Sequence, residues 1–78
     1  MRPLTARQRQ VLLLAANGNT NAAIGRLLGI TRVTVDRYLA DTYRALGARD
    51  RANAVALAFV TGELTAHQIH TPAEEAAA

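Results

Sequence analysis

The stretch GITRVTVDRYLADTYRALG, residues 29–47, mixes guanidinium and carboxylate side chains at spacings that suit one side of a helix. At about 100° per residue, Val33, Arg37, Ala40 and Arg44 cluster together, with Asp36 and Asp41 on the shoulders. Such a face can lie against a polyanion, because Ala40 permits close approach while the arginines reach acceptors on either side of it. Arginine pairs bidentately with guanine O6 and N7, each good pair giving roughly 1–3 kcal/mol of discrimination. Asp36 has two roles open to it: accepting from cytosine N4, or pairing with Arg32 four residues earlier. Asp41 fits the orienting of a neighbouring arginine better than contact with a base. His67 and His70 stand three apart, a spacing that binds metal on a helix. With no Cys in the chain and no acid placed beside them, no metal site is expected. The sequence shows no nucleophile–base pair, glycine-rich phosphate loop or carboxylates paired in a pocket. Neither catalytic residues nor a cofactor are expected, and the chain does not read as an enzyme.

The elements that must carry this face belong to one small domain of 78 residues. A chain of that size buries only about 60% of its unfolded surface, so helix packing has to be efficient or a partner has to help. Half the residues are apolar but only 4% are aromatic, so Leu, Ile, Val and Ala must build the core, which favours packed helices. The absence of Cys removes disulfides and thiolate chemistry. No apolar run approaches the roughly 20 residues that span a bilayer, and there is no signal-peptide pattern, so a cytoplasmic protein is expected, nucleoid-associated if its partner is nucleic acid. Within residues 1–62, nine arginines against three aspartates leave a net charge of +6, while Glu63, Glu74 and Glu75 follow. A basic body with an acidic tail points to nucleic acid before membrane.

Periodicity and caps divide the chain into four helical segments. Thr5 caps the first, with Leu4 as a staple, Leu4, Val11, Leu14 and Ala15 as its buried stripe and Gly18 as its stop. Thr20 caps the second, whose apolar side is Ile24, Leu27 and Leu28; Gly25 in its interior costs about 1 kcal/mol and signals a neighbouring backbone coming close. Thr31 caps the third, which buries Val35, Leu39, Thr42 and Leu46 and ends at Gly47. Asp50 caps the fourth, which runs to Thr61 and is apolar on more than one side, as a helix shared with a second copy would be. Beyond Gly62 a short helix from Thr71, with Glu74 closing a capping box, competes with a frayed tail. Leu13 lies away from the first helix's stripe. It is either an isolated surface leucine or a contact for another protein or for the tail, with Leu64 or Ile69 folding back.

The second and third segments with their short turn make a helix-turn-helix, which places its second helix in a major groove. Leu4, Thr5, Arg7, Val11, Leu12, Leu14, Ala16, Gly18, Thr20, Asn21, Ile24, Leu28, Ile30, Thr31, Thr34, Val35, Leu46, Gly47, Arg51 and Ala54 fall without a gap on one known pattern. Residues 4–62 thus resemble the LuxR/FixJ-type, GerE-like helix-turn-helix domain. The resemblance implies an all-α, four-helix domain over residues 1–62 with a tail at 63–78, and a helix at 31–46 that reads the major groove. It also implies a homodimer through helix 50–61, with Asn53, Ala56 and Val60 on the dimer side. By position, Asp36, Arg37, Ala40 and Arg44 would face bases. Thr20, Asn21, Thr31, Arg32, Thr34 and Tyr38 would meet phosphates, the threonines as caps first. Arg7 and Arg9 fit solvent better than DNA, and Arg26 and Arg51 fit either. The chain departs from the pattern at Gln8 and Ala23, where the family has acids, and at Val33, Asp36 and Tyr38, where Lys, Lys and His are common. The loss at Ala23 leaves the second helix half of its capping box, and the changes at Val33, Asp36 and Tyr38 weaken the phosphate grip of the third helix.

The first functional reading is a stand-alone DNA-binding transcription regulator acting as a homodimer on double-stranded DNA, a start at Met1 just before the domain suggesting a complete small protein. The second is a protein-interaction module derived from a helix-turn-helix and acting on another regulator, with Asp36, Val33, Leu13 as a partner contact, and the apolar fourth helix in its favour. A sigma-factor region-four-like domain shares the LTARQRQV opening, but the ALG segment and the fourth helix argue against it.

Overall fold

The computed structural model describes residues 3–72. It contains α1 (Ala6–Ala16), α2 (Asn21–Leu28), α3 (Arg32–Leu46), α4 (Arg51–Val60) and a single 3₁₀ turn, Ala66–Gln68. Every α-helix begins at a side-chain oxygen that takes an otherwise orphaned amide. Thr20, Thr31 and Asp50 accept from the amides of Ala23, Thr34 and Asn53, each such cap being worth about 1 kcal/mol. At α1 the box is complete: Thr5 Oγ1 accepts from the Gln8 amide at 3.1 Å and Gln8 Oε1 from the Thr5 amide at 2.9 Å. Gln8 therefore performs the capping job of the acid it replaces. Ala23 has no such group, and α2 starts on Thr20 alone.

The turn between α2 and α3 explains the glycine inside α2. Gly29 adopts φ 70°, and the Ile30 amide donates to the Gly25 carbonyl at 2.9 Å. A Cβ on Gly25 would lie 2.6 Å from the Ile30 carbonyl oxygen. The chain can double back this tightly only because position 25 has no side chain. That turn sets the angle at which α3 leaves α2.

α3 packs against α1, α2 and α4 and is the axis of the molecule. Val35, Leu39, Thr42 and Leu46 are buried, as their spacing predicts, together with Ala45. The Thr42 hydroxyl sits in the core at no cost in unpaired groups, since it donates to the Tyr38 carbonyl at 2.8 Å. Elsewhere the core differs in detail from the periodic stripes. On α1 the fully buried side chains are Val11 and Leu12, while Leu14 is half-buried. Two walls close on α1, one from α3 and one from the returning C-terminal segment, so the buried arc is wider than one stripe. Leu27, placed on the apolar side of α2 by its spacing, is 63% exposed. An eight-residue helix resting mainly on one neighbour buries only its innermost edge, here Ile24 and Gly25.

The chain after Gly62 returns to the body. Leu64 is 2% exposed within the core formed with Leu4, Leu12 and Ala58, and its amide donates to the Ala58 carbonyl at 3.1 Å. Glu63 accepts from the Leu4 amide at 3.3 Å and from Arg9 at 3.2 Å. Asn17 at the end of α1 clasps the next residues, donating to the Gln68 carbonyl at 3.2 Å and accepting from the His70 amide at 2.7 Å. Leu13 is half-buried beside this segment and lines a surface groove with Leu64 and Gln68. Residues 63–70 are thus packed on α1 and do not form a loose tail. The capping box expected between Thr71 and Glu74 lies outside the described residues.

Candidate nucleic-acid interface

Burial of Val35, Leu39, Thr42 and Leu46 leaves the other side of α3 open. Arg32, Val33, Asp36, Arg37, Ala40 and Arg44 are exposed along it. Thr34, Arg37, Tyr38 and Asp41, at spacings of three, one and three, border a shallow hollow of about 300 Å³ on this helix. The Arg37 guanidinium has no hydrogen bond or ion pair among the described residues, whereas Arg44 pairs with Asp41. The structure therefore brings all four expected base-facing residues to one solvent-open side, with Asp41 holding an arginine as its position suggested.

Asp36 has a partner that its neighbours along α3 do not indicate. It does not pair with Arg32. Its Oδ1 accepts from Asn21 Nδ2 at 2.7 Å, and Asn21 Oδ1 accepts from the Arg51 guanidinium. Arg51 also donates to the Asn19 carbonyl at 3.1 Å. An exposed i,i+4 ion pair is worth only about 0.2–0.5 kcal/mol, so a tertiary partner held by a cation readily displaces it. Tyr43 packs beside Arg51; burial pushes its phenol above the ordinary tyrosine range, and the Arg51 guanidinium partly opposes that rise.

The hydroxyls of Thr20 and Thr31 are engaged as caps, and the Thr31 and Thr34 hydroxyls lie 3.0 Å apart. Asn21 is occupied at both ends inside the protein, leaving one amide hydrogen for an external acceptor. Tyr38 is half-buried against the core, with its ring at the edge of the hollow. Among the described residues, Arg26, Arg32, Arg37 and Arg49 are exposed and carry no side-chain hydrogen bond or ion pair. Arg49 lies in the loop before α4, where no periodicity in the sequence marks a lone arginine.

Of the residues assigned to the dimer side of α4, Ala56 and Val60 are exposed, Val60 at 81%. Asn53 is different: its Oδ1 accepts from the Arg49 amide at 3.0 Å and it completes the cap of α4. Phe59, 37% exposed, joins Ala52, Ala56 and Val60 in one apolar stripe. The i, i+4, i+7, i+8 spacing of these residues was visible in the sequence and marks the stripe better than Asn53 does. His67 lies next to the Thr65 hydroxyl, and no group of three or more potential metal ligands occurs among the described residues.

A capped helix, a glycine-enabled turn and a second helix with an arginine-bearing outer side define a helix-turn-helix domain. Comparison with known proteins agrees. The family described as bacterial regulatory proteins, luxR family, matches residues 2–58, and the chain belongs to it. It is 50% identical over 54 residues to a probable transcriptional regulatory protein, SgaR, of Hyphomicrobium methylovorum, covering 69% of this chain and 26% of that protein. Against the putative HTH-type transcriptional regulator YhjB of Escherichia coli K12 the identity is 41%, covering 69% and 27%. Among solved structures, a Vibrio cholera VqmA–ligand–DNA complex superposes with a TM-score of 0.72 at 33% identity, covering 81% of this chain and 28% of that one. The chain thus spans about a quarter of the length of the relatives it matches, which are described as transcription regulators. No described helix is long and apolar enough to cross a membrane.

Proposed function

We propose that this domain is a self-contained transcription-regulatory unit that lays α3 in the major groove of double-stranded DNA, at the nucleoid, as a homodimer. In this reading Asp36, Arg37, Ala40 and Arg44 face base edges. Thr20, Asn21, Thr31, Arg32, Thr34 and Tyr38 meet phosphates, the threonines through amides and hydroxyls at the helix starts. The observation that carries it is the unpaired Arg37 guanidinium beside Ala40 on the one side of α3 that the fold leaves open. Neutralised phosphates release counterions, so log affinity should fall linearly with log salt, by about 0.9 per phosphate contact. Titrating a selected DNA duplex at several salt concentrations, with wild type and Arg37→Ala, tests both parts. The variant should lose the preference at one base pair of each half-site. Unchanged sequence-specific binding by Arg37→Ala would reject this face as the reader.

Homodimerisation through α4 is supported by the apolar stripe of Ala56, Phe59 and Val60, which the fold leaves uncovered. The second reading, a module acting on another regulator, draws on Leu27 and Val33, 63% and 60% exposed. It requires DNA affinity that is absent or insensitive to salt, and a protein partner lost on Val33→Ser or on substitution of Leu13.

A further inference from the structure

Asp36 is a carboxylate on a surface otherwise suited to a polyanion, and the fold holds it there. Arg51, the first residue of α4, donates to Asn21 Oδ1; Asn21, the first residue of α2, donates to Asp36 Oδ1 at 2.7 Å. The neighbours fix the asparagine's orientation. A flipped amide would set its NH₂ against the guanidinium and its oxygen against the carboxylate, two like pairs in place of two complementary ones. Arg51 is itself tied to the Asn19 carbonyl at 3.1 Å. Three helices thus meet in one donor–acceptor line ending at a carboxylate on the open side of α3. Asp36 can swing toward Arg32 only by giving up its bond to Asn21.

An ionised carboxylate offers acceptors only, and Asn21 uses one of them. In the major groove the only base donors are the exocyclic amines of cytosine and adenine; guanine O6 and N7 and thymine O4 are acceptors that a fixed carboxylate repels. Adenine sets its N7 acceptor beside its amine, so a two-oxygen group suits cytosine better. We propose that Arg51 and Asn21 are positioning residues that hold Asp36 as a rigid acceptor, selecting cytosine at one base pair of each half-site. This rests on the reading of DNA by α3 proposed above. Rotamer freedom removed before binding is not lost again on binding, so the gain should be in discrimination as well as in affinity.

The test uses the full chain and a panel of duplexes derived from DNA selected out of a random pool, with each half-site position changed to all four bases. Wild type should favour cytosine at one position by about tenfold, and Asp36→Ala should abolish that preference. Asn21→Ala should flatten the same position to about twofold or less while leaving the preferences set by Arg37 in place. It should have no further effect on that position in the Asp36→Ala background, a non-additivity that a general loss of structure does not produce. Arg51→Lys, which keeps the cation but not the forked geometry, gives the second perturbation, and thermal melting monitors folding of each variant. Affinity lowered equally on every duplex by Asn21→Ala, with the cytosine preference retained, overturns the positioning role while α3 reading stands. A selected motif that Asp36→Ala leaves unchanged does the same. Absence of any sequence-selective binding by wild type overturns the reading of DNA itself, and the relay with it.

Discussion

Leu64 lies beyond the four helices, yet it is among the largest fully buried side chains of the protein. Leu64→Ala measures what the returning segment contributes. Removing three side-chain carbons forfeits transfer free energy of about 2.4 kcal/mol at ~0.8 kcal/mol per buried methylene. A residual cavity normally adds to this, and buried Leu→Ala changes span about 2–5 kcal/mol. Here Leu64 borders an open groove of about 570 Å³ shared with Leu13 and Gln68, so water enters the vacated space and the cavity contribution stays small. The expected loss is therefore about 2–3 kcal/mol, toward the lower end of that range. In a domain of this size each kcal/mol lowers Tm by about 4–8 °C, so a fall of roughly 10–20 °C should be seen in far-UV circular dichroism. Ile69→Ala, at a half-buried position directly after the 3₁₀ turn, should cost about 1 kcal/mol or less. If Leu64→Ala melted within about 2 °C of wild type, the segment after Gly62 would contribute no core and the domain would end with α4.

Gly25→Ala sets two effects against each other: helix propensity favours alanine by about 1 kcal/mol, whereas a Cβ placed 2.6 Å from a backbone oxygen forces an overpacking shift costing about 1–3 kcal/mol. The net outcome in urea denaturation should be destabilisation by about 1 kcal/mol, with DNA affinity falling further because α3 is re-aimed; a stabilised variant would show that the turn yields freely. Val60→Asp puts a charge on the most exposed large apolar side chain of α4. If α4 joins two copies as proposed, sedimentation equilibrium should show a wild-type dimer that Val60→Asp loses, with Tm of the monomer changed by less than about 4 °C; a variant that stays dimeric would place the interface elsewhere.

Much of this architecture was legible because its signals are local. A threonine or aspartate before an apolar run, a glycine after it and a three-four spacing within it are set by backbone amides and by 3.6 residues per turn, and all four helix starts and the buried stripe of α3 followed from them. Gly25 was legible for the same reason, since a helix-interior glycine is a cost that a close backbone explains. The open side of α3 followed by subtraction from its buried side. What periodicity could not supply was anything fixed by sequence-distant neighbours. Leu12 and Leu64 share one buried core although more than fifty residues separate them, and Leu27 stays exposed because no described element covers it.

The same limit governs the functional side chains. Reading along α3, Asp36 sees Arg32 one turn earlier, and an exposed ion pair is the natural inference. In the folded chain its nearest partner is fifteen residues away in Asn21, which is held in turn from thirty residues away by Arg51. A side chain's role at a recognition surface depends on whether it arrives there free or already bound. Arg37 arrives free and can pair with whatever acceptor the groove presents; Asp36 arrives fixed and can accept only from a donor placed to meet it. One face therefore combines an adaptable cation with a preset anion. An adaptable contact lets affinity survive a changed base, whereas a preset acceptor penalises the wrong one. Specificity on α3 should accordingly be lost more completely at the Asp36 position than at the Arg37 position when α2 and α4 are perturbed without touching α3.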